Sequence, residues 1–465
     1  MKTRNIVIIA CLLLILVLVA AAVVVAIVSN TGEMGARDDI IAAIEEYGTD
    51  DLGHRYVANH LLEYGIGGFD AGKFRNVEYY FDTKYVKELP SVPEMAKKTA
   101  ELFMEYYYDR LAEMGEAADR ETVTTALITC FVEATGDRYA VYRTPEELSD
   151  FSDDMSGTFV GIGVSILQTT DPISGKITTI EVEEVLPDSG AGDAGILPGD
   201  FIIAVGDVPV TDMTSGEVAK AIRGEVGTKV KITVLRGGVE LDYDCVRKIV
   251  VDRTVRYDVE GDIGYITITS FKGNTASLFL EAIQAVNAEG VKGIVFDVRN
   301  NPGGYLDAVL NTLDVLVPKG TRLASYKETD GTEVVYNSVS DVDLLNVPVT
   351  VICNRYTASA GELFTAALRD YDAMGLVDAE IIGETTYGKG VMQTTYPFFD
   401  GSSITLTNAY YNPPSNVNYD GKGIEPKDEY KVDLAVGSDT QLAKAIEVLR
   451  DMIGTEPDVD DGASI

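Results

Sequence analysis

Hydrophobic positions change their spacing along the chain, and each spacing predicts a different kind of element. The first segment, Ile6–Val28, is an unbroken apolar run that follows Lys2 and Arg4. A helix of this length crosses the roughly 30 Å hydrocarbon core of a bilayer, and flanking basic residues stay on the cytoplasmic side. We therefore predict a single-pass cell-membrane anchor, with a cytoplasmic N-terminus and with the rest of the chain extracytoplasmic. The alternative is a cleaved signal peptide, whose apolar stretch is usually shorter.

Residues 31–156 are predicted to form a helical region, because apolar residues recur there every three or four positions. One such stripe comprises Ala96, Ala100, Phe103, Tyr107, Leu111 and Met114. On a single helix these side chains share one face, which must pack against the rest of the molecule or against a second copy of the chain. A homodimer is thus one expectation.

Residues 157–248 have the sequence pattern of a small β-rich domain, in which short strands are separated by glycine turns. Ile177–Val185 alternates as a strand does, Gly216–Arg223 suits a short helix, and Lys229–Leu235 suits a closing strand. This order of elements resembles a PDZ domain, whose groove binds an extended C-terminal peptide by β-augmentation. The resemblance implies that a peptide carboxylate is held by the loop of Gly161, Ile162, Gly163 and Val164. The alternative is a small β domain with a tight glycine turn.

Strands and helices alternate between residues 249 and 437, which is typical of a mostly parallel sheet covered by helices. The predicted strands are Ile263–Thr269, Gly293–Val298, Val347–Cys353 and Glu380–Gly383, and the predicted helices are Ala276–Ala288, Tyr305–Val317 and Gly361–Arg369. A last helix and an acidic tail fill residues 438–465. The expected regions are therefore residues 1–30, 31–156, 157–248, 249–437 and 438–465, and the fold class is α/β.

Composition narrows the classes of function. The chain has 74 acidic and 38 basic residues and a formal net charge of −36, which argues against nucleic-acid partners. Its four cysteines form no C-x-x-C pair, and its two histidines, His54 and His60, do not have the spacing of a zinc motif. We therefore expect no metal and no cofactor, and we expect Cys130, Cys245 and Cys353 to be free, buried thiols.

Ser359 is the first candidate for chemistry, since it lies between a buried strand and the start of a helix. One interpretation is structural: Ser359 and Glu362 form a capping box that satisfies helix amides. The other is functional: the hydroxyl faces a cleft at the carboxyl end of the sheet. In that case the N–H of Ala360, at the positive end of the helix dipole, helps to stabilise an oxyanion.

A serine nucleophile needs a base, and both histidines lie far upstream in the helical region. Lysine is the other known base for serine, but its pKa of about 10.4 must be lowered by burial, and the negative charge of the chain opposes this. Lys389 is the candidate, because Gly388 and Gly390 let the backbone approach closely. Gln393 could orient its amine if the strand twists or bulges there.

Two neighbouring segments admit other interpretations. Gly383–Gly390 matches G-x-x-x-x-G-K, but a P-loop needs Ser or Thr where Gly390 stands, and it should open a helix rather than a strand. The segment Asp297–Gly304 is either a plain strand-to-helix turn or the source of a second oxyanion donor, a glycine N–H.

Taken together, these motifs resemble the carboxyl-terminal processing proteases (tail-specific proteases). The resemblance covers residues 137–428 and includes Gly136-Asp137-Arg138-Tyr139, the Asp297–Gly304 loop, the Thr357–Glu362 turn, Gly388–Gln393 and Gly421–Pro426. It implies a crotonase/Clp-protease-like mixed sheet with an inserted PDZ domain, which would follow the helical region and the transmembrane helix predicted above. It also implies Ser359 as nucleophile, Lys389 as base, Gln393 as orienting residue, and the N–H groups of Ala360 and of Gly303, rather than Gly304, as oxyanion donors.

The sequence departs from the family pattern at three places. Thr357 and Gly361 stand where serines are more usual, and the interval from Ser359 to Lys389 is longer, which suggests an extra loop near Met374–Asp378. None of these changes removes a catalytic group. The leading prediction is a membrane-anchored extracytoplasmic serine endopeptidase that cuts proteins with apolar C-termini near those ends. The rivals are a catalytically silent PDZ scaffold and a P-loop-like nucleotide hydrolase.

Overall fold

The computed structural model describes residue 34 and residues 36–47, 55–115, 118–170, 177–211, 213–329, 331–435 and 437–454. Its contacts divide the chain into two units. The first unit contains the described residues up to Ser149, together with Ser325–Val335 and Gly390–Asn412. The second contains Asp150–Ala324, Tyr336–Lys389 and the described residues from Pro413 onward. Residues 249–437 thus contribute to both units.

Thirteen α-helices lie within the described ranges: α1 (Arg37–Tyr47), α2 (Val57–Glu63), α3 (Ala71–Lys84), α4 (Val92–Tyr106), α5 (Tyr108–Met114), α6 (Arg120–Ala134), α7 (Pro145–Ser156), α8 (Gly190–Ala194), α9 (Ser215–Ile222), α10 (Thr275–Ala288), α11 (Leu306–Asp314), α12 (Ala360–Ala373) and α13 (Thr440–Ile453).

The same ranges contain eighteen strands: β1 (Val141–Arg143), β2 (Thr158–Gly161), β3 (Val164–Thr170), β4 (Ile177–Val185), β5 (Phe201–Val205), β6 (Val208–Pro209), β7 (Lys229–Arg236), β8 (Val239–Val246), β9 (Lys248–Val251), β10 (Val255–Glu260), β11 (Ile263–Ile268), β12 (Gly293–Asp297), β13 (Arg322–Lys327), β14 (Glu333–Asn337), β15 (Val349–Cys353), β16 (Ala379–Gly383), β17 (Val391–Pro397) and β18 (Ser403–Asn412).

Helices of the first unit pack around an aromatic core and against a small sheet. Its sheet has the order β1-β18-β13-β14, and β17 also pairs with β18. Ala96, Ala100, Phe103 and Leu111 of the predicted stripe are buried in this core. The stripe does not lie on one helix, because Tyr107 separates α4 from α5. Since these side chains are covered within the chain itself, the stripe no longer argues for a homodimer.

The predicted membrane placement is wrong for the part of the chain that the structure describes. There, α4 and α6 are the longest helices with 15 residues each, and no helix is both long and apolar enough to cross a bilayer. Fifteen residues rise only about 22 Å, which is short of the roughly 30 Å hydrocarbon core. The segment on which the prediction rested, Ile6–Val28, lies outside the described residues.

The PDZ-like part of the second unit is built around a sheet of order β3-β4-β5-β7-β8, with β6 on β5. A separate pair, β2 with β9, stands at its entry and exit. Between β2 and β3 the chain turns at Ile162 and Gly163. Helix α9 begins with a capping box of Thr214 and Glu217, which explains why a short helix forms there.

The remaining sheet of the second unit has the order β10-β11-β12-β15-β16. Strand β10 is antiparallel to β11, and the other neighbours are parallel. Helices cover both faces: Val295 packs toward α13, whereas the ring of Phe296 contacts Phe279 of α10 and Phe364 of α12. Because β12 and β15 are parallel neighbours, the turns that follow them meet at one edge of the sheet.

The predicted state of the cysteines is confirmed. Cys130, Cys245 and Cys353 are free and buried. Burial raises the pKa of Cys245 to about 11 and that of Cys130 to about 12. Since the thiolate is the reactive form, these residues act as small apolar side chains.

Candidate active site

The backbone of the candidate site is strained at Ser359. Ser359 follows β15, immediately precedes α12, and has φ 53° and ψ −117°. A positive φ is unfavourable for a residue with a Cβ, and such strain persists only where the surrounding structure imposes it. The conformation makes a sharp strand-to-helix corner, the kind of corner that exposes a nucleophile.

Glu362 connects the Ser359 turn to the Lys389 segment. Its fully buried carboxyl group accepts hydrogen bonds from the N–H of Ser359 at 2.9 Å, from the N–H of Gly388 at 2.6 Å and from the N–H of Lys389 at 2.7 Å. The hydroxyl of Thr386 donates to it as well, at 2.5 Å. Burial raises the pKa of this carboxyl group, although the four hydrogen bonds act in the opposite direction.

This shared acceptor limits the distance between the two candidate catalytic residues. The N–H groups of Ser359 and Lys389 donate to the same oxygen, Oε2 of Glu362, over 2.9 and 2.7 Å. Their two amide nitrogens therefore lie within about 6 Å of each other. The capping interpretation explained only the bond from the N–H of Ser359, because the other donors lie 24 to 27 residues away.

Lys389 itself is half-buried, and the glycine before it allows a close backbone approach. A Cβ on Gly388, at φ 89°, would lie 3.0 Å from the N of Gly423, and the carbonyl of Gly388 accepts a hydrogen bond from the N–H of Gly421 at 2.9 Å. The P-loop interpretation is wrong, since the segment leads into strand β17 and no helix starts there to bind phosphate.

Gly303 lies directly against the Ser359 turn. A Cβ on Gly303, at φ 103°, would come 2.7 Å from the Cβ of Ser359 and 2.9 Å from the N of Ala360, so only glycine fits this place. Its N–H, however, donates to the Oδ1 of Asn301 at 2.8 Å. To serve as an oxyanion donor, this N–H would have to break its hydrogen bond to Asn301. The neighbouring residue, Gly304, is exposed.

Asparagine side chains link the turn after β12 to the turn after β15, a contact that the sequence analysis did not predict. The Nδ2 of Asn354 donates to the Oδ1 of Asn300 at 2.9 Å, and the N–H of Asn300 donates back to the Oδ1 of Asn354 at 3.0 Å. The carbonyl of Asn301 accepts from the N–H of Ala358 at 2.8 Å. These bonds connect the turn after β12 directly to the turn after β15.

A buried ion pair braces the start of the Asp297–Gly304 segment. Arg299 contacts Asp297 at 2.6 Å and Asp439, the N-cap of α13, at 2.7 Å. Burial alone would lower the pKa of Arg299, but the hydrogen bonds to these carboxylates outweigh it and raise the pKa. Arginine therefore stays charged and fixes the loop to the α13 side of the sheet.

Gln393 belongs to the first unit, whereas Ser359, Ala360, Gly303 and Lys389 belong to the second. The register of β17 against β18 shifts between Met392 and Gln393, which is a local irregularity of the kind that the sequence interpretation required. The Nε2 of Gln393 donates to the Oγ1 of Thr407 at 3.2 Å. Its role toward Lys389 stays a prediction.

The predicted peptide-binding loop lies between β2 and β3. Gly161 ends β2, Val164 begins β3, and Ile162 is buried between them. Gly163 has φ 74°, and a Cβ there would come 2.4 Å from the Cβ of Ser189. The carbonyls of Ile162 and Gly163 accept from the N–H groups of Ala191 and Leu186 at 2.9 Å, which holds this loop against the segment that leads into α8.

Among the residues that the structure describes, no group of three or more His, Cys, Asp or Glu side chains is placed to hold a metal ion.

Comparisons with known proteins agree with this architecture. The sequence profile described as Peptidase family S41 matches residues 262–430, and that of the PDZ domain matches residues 181–236. The "Probable CtpA-like serine protease" of Staphylococcus haemolyticus (strain JCSC1435) is 32% identical over 346 residues, covering 71% of this chain and 67% of that protein. The protein of the same name in Staphylococcus aureus (strain COL) is 33% identical over 309 residues, covering 66% and 60%.

A solved structure, the photosystem II D1 C-terminal processing protease, is 27% identical, with a TM-score of 0.45 over 81% of this chain and 96% of that chain. The chain belongs to peptidase family S41 and has a mixed α/β protease fold with a PDZ domain. It is a serine-type peptidase of the CtpA-like group, and the predicted family and the predicted PDZ domain are confirmed. The chain spans between 60 and 67% of the length of the two staphylococcal relatives.

Proposed function

We propose that the chain is a serine endopeptidase that cleaves proteins near apolar C-termini, with Ser359 as nucleophile, Lys389 as base and Gln393 as the residue that orients the lysine. The observation that carries the proposal is the Glu362 carboxyl group, which accepts from the backbone N–H groups of both Ser359 and Lys389. Positioning a nucleophile beside a base is what acyl transfer by a Ser–Lys pair requires.

Acylation follows from this arrangement. The neutral amine of Lys389 takes the proton of the Ser359 hydroxyl as the oxygen attacks the scissile carbonyl carbon. The resulting oxyanion is stabilised by the N–H of Ala360, at the N-terminus of the 14-residue helix α12. Lys389 then returns the proton to the leaving amine. In deacylation the amine of Lys389 takes a proton from a water molecule, whose oxygen attacks the acyl carbon. The ester bond to Ser359 then breaks as Lys389 returns this proton to the serine oxygen.

The second oxyanion donor is a glycine N–H of the Asp297–Gly304 loop. Gly303 remains the proposed residue, because it lies within contact distance of Ser359 and Ala360. Its N–H must then exchange Asn301 for the substrate oxygen. Such an exchange makes the oxyanion site complete only when a substrate is bound.

The PDZ domain supplies substrate selection in this proposal. Extended C-terminal peptides add to strand β3, and the loop of Gly161, Ile162, Gly163 and Val164 holds the terminal carboxylate. Apolar tails suit such a groove, and the formal net charge of −36 disfavours acidic ones. No metal or cofactor enters the chemistry.

Cleavage of an unfolded reporter protein with an apolar C-terminus tests the proposal. Wild type, Ser359→Ala and Lys389→Ala are compared, and fragments are mapped by mass spectrometry in the presence of a metal chelator. Cleavage near the C-terminus by wild type alone is expected. Cleavage by Ser359→Ala would refute the assigned nucleophile. Binding of the reporter without cleavage by any form would favour a peptide-binding scaffold.

A further inference from the structure

A series of hydrogen bonds within the first unit links Asp137 to Gln393. Asp137 is 7% exposed and Thr407 is fully buried. The Oδ2 of Asp137 accepts from the N–H of Thr407 at 2.8 Å, and its Oδ1 accepts from the Thr407 hydroxyl at 3.0 Å. The Thr407 hydroxyl oxygen in turn accepts from the Nε2 of Gln393 at 3.2 Å.

The bulge in the β17–β18 hairpin makes this series of hydrogen bonds possible. Met392 pairs with Ala409, whereas Gln393 pairs with Thr407, so Asn408 is the extra residue of β18. Residues that oppose each other directly in an antiparallel pair point to the same face of the sheet. The bulge therefore places the Gln393 side chain beside the Thr407 side chain.

Asp137 determines which groups donate and which accept in this series of hydrogen bonds. Its carboxylate accepts from three donors, namely the N–H and the hydroxyl of Thr407 and the N–H of Tyr139. A hydroxyl has one proton, and Thr407 gives it to Asp137. The Thr407 oxygen can then only accept, so the amide of Gln393 must present its NH2 group there. The Oε1 of Gln393 is left as the acceptor end of the amide.

We propose that Asp137 is a positioning residue for catalysis, which acts through Thr407 to fix the amide of Gln393 with its oxygen as the free acceptor. An acceptor is the end that the amide must offer to orient a lysine amine through one of its N–H groups, which leaves the lone pair of the neutral amine for the serine proton. This inference rests on the proposed Ser359, Lys389 and Gln393 site. It gives the Asp137 carboxylate, 256 residues before Gln393 in the sequence, a part in the chemistry without contact to the substrate.

The kinetic test compares Asp137→Asn, Thr407→Val and Thr407→Ser in the full chain. An asparagine can donate to Thr407, which frees the hydroxyl to donate to Gln393 and lets the amide turn over. We expect Asp137→Asn and Thr407→Val to lower kcat at least tenfold, within the range of acid–base effects, with KM changed less than about threefold. Thr407→Ser keeps the hydroxyl and should restore most of the rate.

Thr405→Val is the matched control. Thr405 is buried in the same strand, and its hydroxyl pairs with that of Thr395 across the hairpin at 2.8 Å. This hydroxyl is not part of the series of hydrogen bonds from Asp137 to Gln393, so removing it should leave kcat unchanged. In a Gln393→Ala background, Asp137→Asn should cause no further loss. Multiplying losses in the double variant, or an unchanged kcat in Asp137→Asn, would overturn the proposal.

A spectroscopic readout keeps the inference separate from the proposed function. The sequence has four glutamines, so selective ¹⁵N-glutamine labelling gives four side-chain NH2 signal pairs, and Gln393→Ala identifies one of them. Asp137→Asn and Thr407→Val should shift that pair, and Thr405→Val should not. An unmoved pair in Asp137→Asn overturns the positioning role, even if wild type cleaves the reporter. Cleavage by Ser359→Ala, with the pair shifted, would instead mean that only the proposed function had failed.

Discussion

At the scale of single residues, the backbone of Ser359 connects strain to the proposed chemistry. Its φ of 53° is imposed from outside, because Glu362 accepts from its N–H and the carbonyl of Asn301 accepts from the N–H of Ala358 just before it. A serine in this conformation is destabilised by about 1–3 kcal/mol relative to an unstrained residue. The turn is kept although it lowers stability, which fits a residue whose place is set by function.

Replacing Ser359 by glycine and by alanine separates strain from chemistry. Both variants lose the hydroxyl, so neither should cleave the reporter. Glycine relieves the positive φ, whereas alanine retains it, so Ser359→Gly should be more stable than Ser359→Ala by about 1 kcal/mol. Thermal unfolding at one scan rate measures the difference. Equal stability of the two variants would show that the turn is not strained.

The sequence could indicate Ser359, Lys389 and Gly303, because each lies in a short local motif at a strand or helix boundary. It could not indicate how Glu362 is used, since the interpretation as a cap involved only Ser359, and the bonds to Thr386, Gly388 and Lys389 depend on the fold. Asp137 was visible only as part of a family motif. Its bonds to Thr407 span 270 residues, and no local pattern records such a contact.

At the scale of elements, helix α2 shows how a missing cap is replaced. Tyr56 precedes α2 and supplies no side-chain cap, so the first N–H groups need another acceptor. Glu78 of α3 provides it, with its Oε1 2.5 Å from the N of Val57. Burial raises the pKa of Glu78 to about 7, against the effect of the hydrogen bonds from Val57 and Ala58. The junction of α2 and α3 thus depends on a buried acid that titrates near neutral pH.

The raised pKa of Glu78 predicts that the free energy of unfolding depends on pH, and it determines the direction of that dependence. Because the pKa of Glu78 rises from 4.5 to about 7 on folding, the folded state binds the proton more tightly. The free energy of unfolding should therefore fall as pH rises from about 4.5 to 7, by up to about 3 kcal/mol from this group. Glu78→Gln mimics the protonated acid and should remove this contribution. Urea unfolding followed by circular dichroism at pH 5 and pH 8 compares the two proteins.

Glu94→Gln is the control of opposite sign. Hydrogen bonds from Ser91 lower the pKa of Glu94 in the capping box of α4, so its contribution is present above the unfolded pKa and is lost as pH falls through the lower, folded value. Relative to wild type, Glu94→Gln should be destabilised more at pH 8 than at a pH well below 4.5, whereas Glu78→Gln should be destabilised more at pH 5 than at pH 8. A constant difference between Glu78→Gln and wild type across this range would contradict the assignment.

Elements with a strong local pattern were predictable, and those that depend on distant partners were not. The strands β12, β15 and β16 read as buried apolar runs, and they lie within a residue or two of the predicted positions. The apolar stripe from Ala96 to Met114 continues in register across Tyr107, so nothing in the sequence pattern marks the break between α4 and α5. Strands β13 and β14 were missed, since they are stabilised in a sheet whose other strands lie far away in sequence.

At the scale of the whole molecule, one chain combines a PDZ domain with a protease fold. In the proposed function, selection and cleavage are separate steps: the loop of Gly161, Ile162, Gly163 and Val164 is assigned to substrate binding, whereas Ser359 and Lys389 are assigned to the chemical step. In kinetic terms, damage to the loop should raise KM for substrates that carry a suitable tail and should spare kcat. The glycines of this domain allow the difference to be tested without touching the active site.

Gly163→Ala tests this division. The new Cβ would lie 2.4 Å from the Cβ of Ser189 at φ 74°, so the loop must shift. The N–H groups that are proposed to bind the carboxylate would then lose their alignment. We expect KM for an apolar-tailed reporter to rise about tenfold or more, equivalent to roughly 1.4 kcal/mol of lost binding, with kcat within about twofold of wild type. Steady-state cleavage at several reporter concentrations measures both constants.

Gly199→Ala supplies the matched control, because Gly199 has φ 87° in the same domain but a Cβ there would meet nothing within 4 Å. Both substitutions carry the backbone penalty of a positive φ, and only Gly163→Ala adds a collision at the loop. Gly199→Ala should therefore keep the wild-type KM. A reporter whose tail ends in acidic residues should be insensitive to Gly163→Ala, since it gains little from the groove. If Gly163→Ala instead lowered kcat equally on both reporters, the loop would be acting on the catalytic step, and the separation of selection from cleavage would have to be abandoned.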